Sequence, residues 1–166
     1  MNYKIPIKNI EAIFFDFDGV LTNNKVFVDQ NGKESVECNR ADGIAFDILN
    51  KLKIDTLIIS TEKNPVVKER AKKIKVKSLI GVSDKSVVLK KYVKKKNLNF
   101  KKIIYIGNDI NDYSAMKLCG FSVCPNDSHK EIIKIANVKL KCNGGEGVAR
   151  ELLEKIFQIK VIDYFK

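Results

Sequence analysis

Short apolar runs of strand length alternate with segments of helical period along the chain. The first run is AIFFDF, residues 12–17, and the pattern continues to GVARELLEKIF, residues 147–157. Continuous apolar strands separated by amphipathic helices predict an α/β fold, Rossmann-like, with a parallel sheet covered by helices on both faces. Ligands bind such sheets at the carboxyl ends of the strands. Functional residues are therefore expected where the strands end.

One segment after the first strand interrupts this alternation. Residues 25–38, KVFVDQNGKESVEC, alternate apolar and polar positions around an Asn-Gly turn, which predicts a β-hairpin. The segment is too short to form a second domain, and no other stretch is long enough for an inserted cap. The 166 residues therefore predict one domain spanning 1–166, with a small hairpin insertion and no cap domain.

The charge balance is strongly basic, with 31 Lys and Arg residues against 20 Asp and Glu residues, a net charge of +11. Nearly all of the excess is lysine, in runs such as LKKYVKKKN on predicted helix faces. Arginine forks and interleaved aromatic residues are missing, which favours a solvated basic surface over nucleic-acid binding. No apolar run approaches the ~20 residues of a membrane span. Because the first residues also lack a secretory pattern, a cytoplasmic protein with no membrane or nucleic-acid partner is expected.

Two carboxylates follow the first strand, at Asp16 and Asp18. Residues i and i+2 of an extended segment project to the same side, so both can face one ligand. Buried together without a counter-charge, they would cost several kcal/mol in desolvation and repulsion. A hard dication with oxygen ligands, Mg²⁺, is the expected partner.

A second polar cluster follows the strand IIYI, in the segment GNDIND that contains Asn108, Asp109 and Asp112. Alone, this segment is compatible with an Asx turn and a helix cap. Two acidic clusters at adjacent strand ends instead indicate an octahedral Mg²⁺ site.

Two further strand ends carry a hydroxyl and a cation. Ser60 ends the strand DTLIIS and can hydrogen-bond an anionic oxygen. Lys85 begins the helix after SLIGVSD, where a cation opposes the helix dipole. A bound phosphate would resolve that conflict.

Together these elements resemble the haloacid dehalogenase superfamily of phosphotransferases, whose motifs occur in this order. The first motif, D-x-D-G-x-x-T, matches residues 16–22; Ser60, Lys85 and Asp109 with Asp112 match the other three. The resemblance implies that Asp16 attacks phosphorus to form an aspartyl phosphate. It also implies that Asp18 protonates the leaving oxygen and then activates water, while Ser60 and Lys85 hold the phosphoryl oxygens.

The resemblance also implies a Mg²⁺ cofactor. Its ligands would be the Asp16 carboxylate, the Asp18 backbone carbonyl and the Asp109 carboxylate. Asn108 replaces the first acid of the commoner G-D-D form. Asp109 is therefore expected to bind the metal directly, with Asp112 supporting the ligands from behind.

The chain further resembles a capless subfamily that acts on 3-deoxy-2-ulosonic acid phosphates. The resemblance rests on the hairpin and on the segments NRADG, GVSDK and CNGGEGVAREL. This subfamily includes octulosonate (KDO) 8-phosphate phosphatases, nonulosonate (sialic acid type) 9-phosphate phosphatases, and phosphatase-like modules of some acylneuraminate cytidylyltransferases. The resemblance to this subfamily implies a homotetramer assembled through the hairpin, with a neighbouring chain closing the active site.

The second motif departs from the octulosonate pattern, in which Gly-Arg follows the serine. Here Thr61, Glu62 and Lys63 follow Ser60, which favours a nonulosonate 9-phosphate as substrate. A KDO 8-phosphate phosphatase and a non-catalytic module associated with a cytidylyltransferase are the alternatives. Candidate substrate contacts are Arg40, Asp42, Glu62, Arg70 and Lys73; Glu62 with Lys73 and Arg70 would read the sugar acid, unless they form only a surface ion pair.

Two other function classes stay open from sequence alone. A phosphoryl receiver also carries a phosphorylated aspartate at a strand end, although Asp18 argues against it because a receiver needs a long-lived acyl phosphate. The net charge of +11 also permits a polynucleotide end phosphatase, whose retention on heparin would persist near physiological salt.

Overall fold

The computed structural model describes residues 4–165, and the predicted parallel sheet is confirmed. Six parallel strands form one sheet, and two short strands form a separate antiparallel pair. In chain order the strands are β1 (Ala12–Phe15), β2 (Phe27–Val28), β3 (Glu34–Ser35), β4 (Asp55–Ile59), β5 (Lys77–Leu79), β6 (Ile103–Ile106), β7 (Phe121–Cys124) and β8 (Val138–Lys139). The order across the sheet is β5-β4-β1-β6-β7-β8.

Helices cover both faces of this sheet, as the alternating pattern predicts. In chain order they are α1 (Arg40–Lys51), α2 (Val66–Lys73), α3 (Lys85–Lys96), α4 (Tyr113–Leu118), α5 (Lys130–Ile135) and α6 (Val148–Glu151). The core residues of α1, α2 and α6 pack on one face, and those of α3, α4 and α5 pack on the other. The predicted last helix is α-helical only in α6 and continues as a π-helical turn, Leu152–Ile156.

Strand β1 lies at the centre of both cores. Its four residues are fully buried and alternate between the two faces because successive strand side chains point in opposite directions. Phe15 contacts Phe46 of α1 with ring centroids 4.9 Å apart, and Phe14 contacts Tyr92 of α3 at 5.5 Å. The end of β1 is therefore held from both sides of the sheet.

The predicted hairpin forms between β1 and α1. Strands β2 and β3 pair antiparallel, with Phe27 opposite Ser35. The Asn64 amide donates to Glu34 Oε2 at 3.1 Å, which attaches β3 to the loop before α2. The side chain of Phe27 remains 73% exposed.

The described part of the chain, residues 4–165, contains no helix that is both long enough and apolar enough to span a membrane. Residues 1–3 and 166 of the predicted 1–166 domain lie outside the described residues.

Asp42, a candidate substrate contact from sequence, lies in the core between α1 and α6. It is 2% exposed because it shares the inward face of α1 with Ala45, Phe46 and Leu49. Its Oδ1 accepts a hydrogen bond from the Arg150 backbone N–H at 3.1 Å, whereas Oδ2 has no hydrogen bond of good geometry within residues 4–165. Burial raises the pKa of Asp42 to about 6, although the backbone N–H donors of Arg150 and Ala149 oppose the shift.

Asp42 therefore predicts a pH-dependent contribution to stability. Because the pKa of Asp42 is higher in the folded state than its ordinary value of 3.8, its contribution is complete below that value and is lost as pH rises through about 6. The unfolding free energy of wild type minus that of Asp42→Asn should fall by about 2 kcal/mol between about pH 4.5 and 7.5. Urea titrations at both pH values measure this difference, and a pH-independent difference would contradict the buried, titrating carboxyl.

Candidate functional site

The candidate site lies where the chain order of the sheet reverses. After β5 the chain crosses back to place β6 on the other side of β1, and ligands bind at such switch points. Phe15 pairs with Ile106, and the Asp16 N–H donates to the Ile106 carbonyl at 2.9 Å. The residues that follow β1 and β6 therefore lie side by side at one edge of the sheet.

Two glycines allow these loops to approach each other. Gly19 adopts a φ of +79°, in the left-handed region that favours glycine, and a Cβ at this position would overlap the Asn108 side chain. At Gly107, a Cβ would lie 2.5 Å from the Asp112 Cβ. The glycines of the two motifs thus make room for the polar side chains opposite them.

A buried lysine joins the two acidic clusters. Lys85 Nζ lies 2.8 Å from Asp16 Oδ1 and 2.7 Å from Asp112 Oδ1. The side chains of Lys85 and Asp112 are fully buried, and that of Asp16 is 6% exposed. The structure therefore brings Lys85 into contact with two carboxylates that are distant in sequence. Even the nearer one, Asp112, is 27 positions away.

The start of α3 explains the position of Lys85. Asp84 caps this helix by accepting hydrogen bonds from the backbone N–H groups of Ser86 and Val87. Lys85 is thus the first helical residue. Its ammonium is stabilised by two carboxylates, which outweigh the unfavourable helix dipole.

Two carboxylates share this one ammonium, so the cluster keeps surplus negative charge when both are ionised. Burial and the charge of Asp112 raise the pKa of Asp16 well above its ordinary value, and Lys85 offsets this only in part. Burial by itself lowers the pKa of Lys85, but the charges of Asp16 and Asp112 reverse the direction and raise it. Lys85 therefore stays charged, and the cluster attracts a further cation.

Asp18 is only partly buried and lines the pocket above this cluster. Its Oδ1 accepts a hydrogen bond from the Thr22 hydroxyl at 3.3 Å. Burial raises the pKa of Asp18; the charges of Glu62 and Glu34 raise it further, while the Thr22 hydroxyl and Lys85 oppose the shift. A carboxyl with a raised pKa at the mouth of a pocket can donate a proton and then accept one.

The pocket has a volume of about 290 Å³ and is lined mainly by carboxylates and amides: Asp16, Asp18, Asn24, Val26, Thr61, Glu62, Asn108, Asp109 and Asn111. These lining residues include no lysine or arginine. Sequence reasoning missed Asn24, Thr61 and Asn111, because single polar residues in loops carry no motif. Ser60 lies beneath the lining, where its Oγ accepts the Glu62 N–H at 3.0 Å.

Asn108 contacts the first motif directly. With its amide nitrogen turned toward the acceptors, it donates to the Asp18 carbonyl at 2.9 Å and to Asp16 Oδ2 at 3.3 Å. Asp109, the acid that sequence favours as a metal ligand, lines the same pocket, and its Oδ1 accepts the Ile110 N–H at 2.7 Å. Asp112 lies behind both, and its Oδ2 accepts their backbone N–H groups.

The three basic substrate candidates do not line this pocket. Arg40, Arg70 and Lys73 line a separate cavity beside Cys38 and Asp47. Arg70 donates to the Asn39 carbonyl at 2.7 Å. Within one chain, Glu62 therefore does not share a pocket with Lys73 and Arg70, because α2 directs these basic side chains toward the start of α1.

The donor set suits a hard metal ion only if a main-chain oxygen takes part. Among residues 4–165, no group of three or more His, Cys, Asp or Glu side chains is arranged to hold a metal. The Asp16 carboxylate and the Asp18 carbonyl both lie within 3.3 Å of the Asn108 amide nitrogen. These are the oxygen ligands that Mg²⁺ prefers, and the surplus negative charge favours a dication, so the residues fit the ion.

A buried aspartate and lysine at parallel strand ends, with a second aspartate at the pocket mouth, define the arrangement of a phosphoryl-transfer site. The family model described as haloacid dehalogenase-like hydrolase matches residues 49–152. The chain therefore belongs to the haloacid dehalogenase-like hydrolases, and it is a phosphatase of this type.

Curated relatives and solved structures agree with this assignment. The 3-deoxy-D-manno-octulosonate 8-phosphate phosphatase of Haemophilus influenzae is 26% identical over 92% of this chain and 85% of its own length. The crystal structure of the corresponding phosphatase from Yersinia pestis is 27% identical with a TM-score of 0.87, covering 92% of this chain and 83% of that one. A hydrolase of the same superfamily from Streptomyces avermitilis is 32% identical with a TM-score of 0.92, covering 96% and 98%.

One relative is a longer protein of another activity. The N-acylneuraminate cytidylyltransferase of Oncorhynchus mykiss is 24% identical over 91% of this chain. The match covers 36% of that protein, so the chain spans about a third of its length.

The charge imbalance in the cluster predicts unequal effects of two substitutions. Lys85→Met leaves two buried carboxylates without their cation and should lower the unfolding free energy by about 3–5 kcal/mol. Asp16→Asn removes the surplus charge and should cost clearly less. Urea unfolding in EDTA at neutral pH compares the two variants. If Asp16→Asn lowered the unfolding free energy as much as Lys85→Met, the claim that surplus negative charge destabilises the cluster would be contradicted.

Proposed function

We propose that the protein hydrolyses the phosphate monoester of a 3-deoxy-2-ulosonic acid, with KDO 8-phosphate as the first candidate substrate. The observation that carries the phosphatase mechanism is the Lys85 ammonium between buried Asp16 and Asp112. The sugar is supported by the relatives from Haemophilus influenzae and Yersinia pestis, which are named for that substrate. They support KDO 8-phosphate better than the nonulosonate 9-phosphate that the sequence favours.

In the proposed reaction, the Asp16 carboxylate attacks phosphorus and the bond to the sugar oxygen breaks. Asp18 gives that oxygen its proton, for which a raised pKa is suitable. Asp18, now ionised, then takes a proton from water, which attacks the aspartyl phosphate and releases phosphate and the free Asp16 carboxylate. Asp18 thereby ends the hydrolysis step with its proton restored.

Lys85 and Ser60 are proposed to hold the transferring phosphoryl group. Lys85 already lies against Asp16 Oδ1, so its ammonium is next to the oxygen that forms the new bond. Ser60 follows β4, the strand beside β1, which puts its hydroxyl at the same edge of the sheet. Charge-assisted donors fixed in a dry site stabilise the developing negative charge.

Mg²⁺ is the proposed cofactor, because haloacid dehalogenase phosphatases are metal-dependent. The Asp16 carboxylate and the Asp18 carbonyl would hold it, with a third ligand from Asp109. When bound, the ion neutralises charge between the nucleophile and the phosphate. Asp112 would keep the loop of Asn108 and Asp109 in place through its hydrogen bonds to their backbone.

A nonulosonate 9-phosphate is the second candidate, on account of Glu62. Glu62 lines the pocket, and its Oε1 accepts the N–H groups of Lys63 and Asn64 at 2.6 and 2.9 Å. A carboxylate held in this way can accept hydrogen bonds from sugar hydroxyls but repels a substrate carboxylate. Arg40, Arg70 and Lys73 remain proposed contacts for that carboxylate, offered by a neighbouring chain. Asp42 would need to leave the core to take part.

The hairpin is the proposed surface for self-association into a homotetramer. Val26, Phe27 and Val28 are 55%, 73% and 54% exposed, an unusual run of apolar side chains to leave in water. Val26 also lines the pocket. Pairing hairpins would bury this run and bring a second chain next to the substrate.

The substrate proposal predicts Mg²⁺-dependent phosphate release. KDO 8-phosphate should be hydrolysed with a higher kcat/KM than a nonulosonate 9-phosphate, and EDTA or Asp16→Asn should reduce release to background. Phosphate release from both substrates measures this directly. A preference for the nonulosonate 9-phosphate that is lost in Glu62→Ala would instead establish the second candidate substrate. Release of phosphate from neither compound would refute both substrate proposals.

The hairpin proposal predicts a change in mass. Phe27→Asp places a charge in the apolar run and should yield a species smaller than the wild-type tetramer in light scattering, because burying an unpaired charge is costly. Val87→Asp is the matched control, since Val87 is an exposed apolar residue of α3 at 43% exposure. A wild-type monomer, or a Phe27→Asp variant of unchanged mass, would contradict the proposal.

A further inference from the structure

Tyr105 is a buried polar residue that the proposed reaction does not use. It is the third residue of β6 and is fully buried in the core on the α3 side of the sheet. Its hydroxyl donates to Asp112 Oδ1 at 3.0 Å. A buried tyrosine in a strand is usually a core residue whose hydroxyl has a hydrogen-bond partner. Whether Tyr105 also has a functional role therefore depends on the identity of that partner.

That partner is the acceptor that competes with Asp16 for Lys85. Asp112 Oδ1 accepts from both Tyr105 and Lys85, while Asp112 Oδ2 accepts from two backbone N–H groups. The Lys85 ammonium divides its hydrogen bonds between Asp112 at 2.7 Å and Asp16 at 2.8 Å. Without the tyrosine hydroxyl, the ammonium would be the only donor to Asp112 Oδ1 among residues 4–165, and it would be drawn toward Asp112.

We propose that Tyr105 is a positioning residue: its hydroxyl satisfies Asp112 Oδ1 and so leaves the Lys85 ammonium directed at Asp16 and the phosphoryl group. The role rests on the proposed functions of Asp16 and Lys85, but not on the identity of the sugar. It acts on the chemical step, because the hydroxyl is buried beneath the pocket and does not line it.

Tyr105 is suited to this role because it remains a donor. Burial, followed by the charges of Asp112 and Asp16, raises the pKa of Tyr105 well above its ordinary value. A phenol that keeps its proton satisfies the carboxylate and adds no charge to the cluster.

Tyr105→Phe removes the hydroxyl and keeps the ring. The expected result is a kcat about tenfold lower with KM within about twofold of wild type, as for an interaction that acts in the transition state. Tyr92→Phe is the matched control, because Tyr92 also donates to a carboxylate, Asp55 Oδ2, at 2.8 Å. This control should lose similar thermal stability and keep its kcat. A kcat for Tyr105→Phe within twofold of the control would overturn the proposal.

A substrate-independent reaction separates this proposal from the choice of sugar. Phosphate and the Asp16 carboxylate form aspartyl phosphate and water, the released oxygen taking one proton from Asp18; reversal with solvent water exchanges phosphate oxygen. Mass spectrometry of ¹⁸O-labelled phosphate with Mg²⁺ measures this exchange. Oxygen exchange that is about tenfold slower in Tyr105→Phe supports the positioning role, even if neither sugar phosphate is hydrolysed. An unchanged exchange rate refutes it.

A double-mutant comparison distinguishes positioning from general loss of structure. In Asp112→Asn the competing charge is gone, so adding Tyr105→Phe should change the remaining exchange rate less than about twofold. An undiminished tenfold loss in that background would mean that the hydroxyl acts through the core and not through Asp112. The comparison also provides a test if Tyr105→Phe alone folds poorly. In the Asp112→Asn background, the buried charge that loses a hydrogen-bond donor in Tyr105→Phe is absent.

Discussion

The site depends on one interaction, the Lys85 ammonium shared by the carboxylates of Asp16 and Asp112. These groups come from the end of β1, the start of α3 and the turn after β6, so the ion pairs form only when the sheet and its helices are assembled. Away from water, the attraction between them is strong, but so is the cost of removing the ammonium that both carboxylates share. The cluster thereby links the chemistry of the pocket to the packing of the whole sheet.

The same cluster explains what the pocket attracts. One cation faces two buried carboxylates, and the lining adds Asp18, Glu62 and Asp109 without a lysine or arginine. This charge balance opposes the entry of a phosphate dianion, and for that reason a dication is the proposed cofactor. The large positive charge of the surface, +11 over the chain, does not alter this local balance, although it can draw anions toward the protein from a distance.

Much of the fold could be predicted from local patterns. The alternation of buried strands and amphipathic helices, the hairpin around Asn-Gly and the four motif positions all depend on short-range signals, and the structure contains each element. The placement of Asp42 was not accessible in this way, because the core face of α1 is decided by the helices packed on it. The separation of Glu62 from Arg70 and Lys73 likewise follows from the direction of α2, which sequence spacing does not encode.

Side-chain partners were the least predictable part. Asn108 replaces an acid in the motif. Its amide contacts both Asp16 and the Asp18 carbonyl because its side chain packs against Gly19, and this approach is visible only in the folded structure. Tyr105 is indistinguishable from an ordinary core tyrosine until its hydroxyl is found on Asp112. Both contacts join residues from separate elements, whose relative position depends on tertiary packing.

The most direct test of this account is to identify the residue that carries the phosphoryl group during turnover. Acid quenching of the enzyme with Mg²⁺ and KDO 8-phosphate, followed by peptide mass spectrometry, should find a phosphoryl group on Asp16, and more of it when Asp18 is replaced by Asn. Turnover of the substrate with no phosphorylated aspartate, or with the label on another residue, would contradict the central role of Asp16 and of the lysine that holds it.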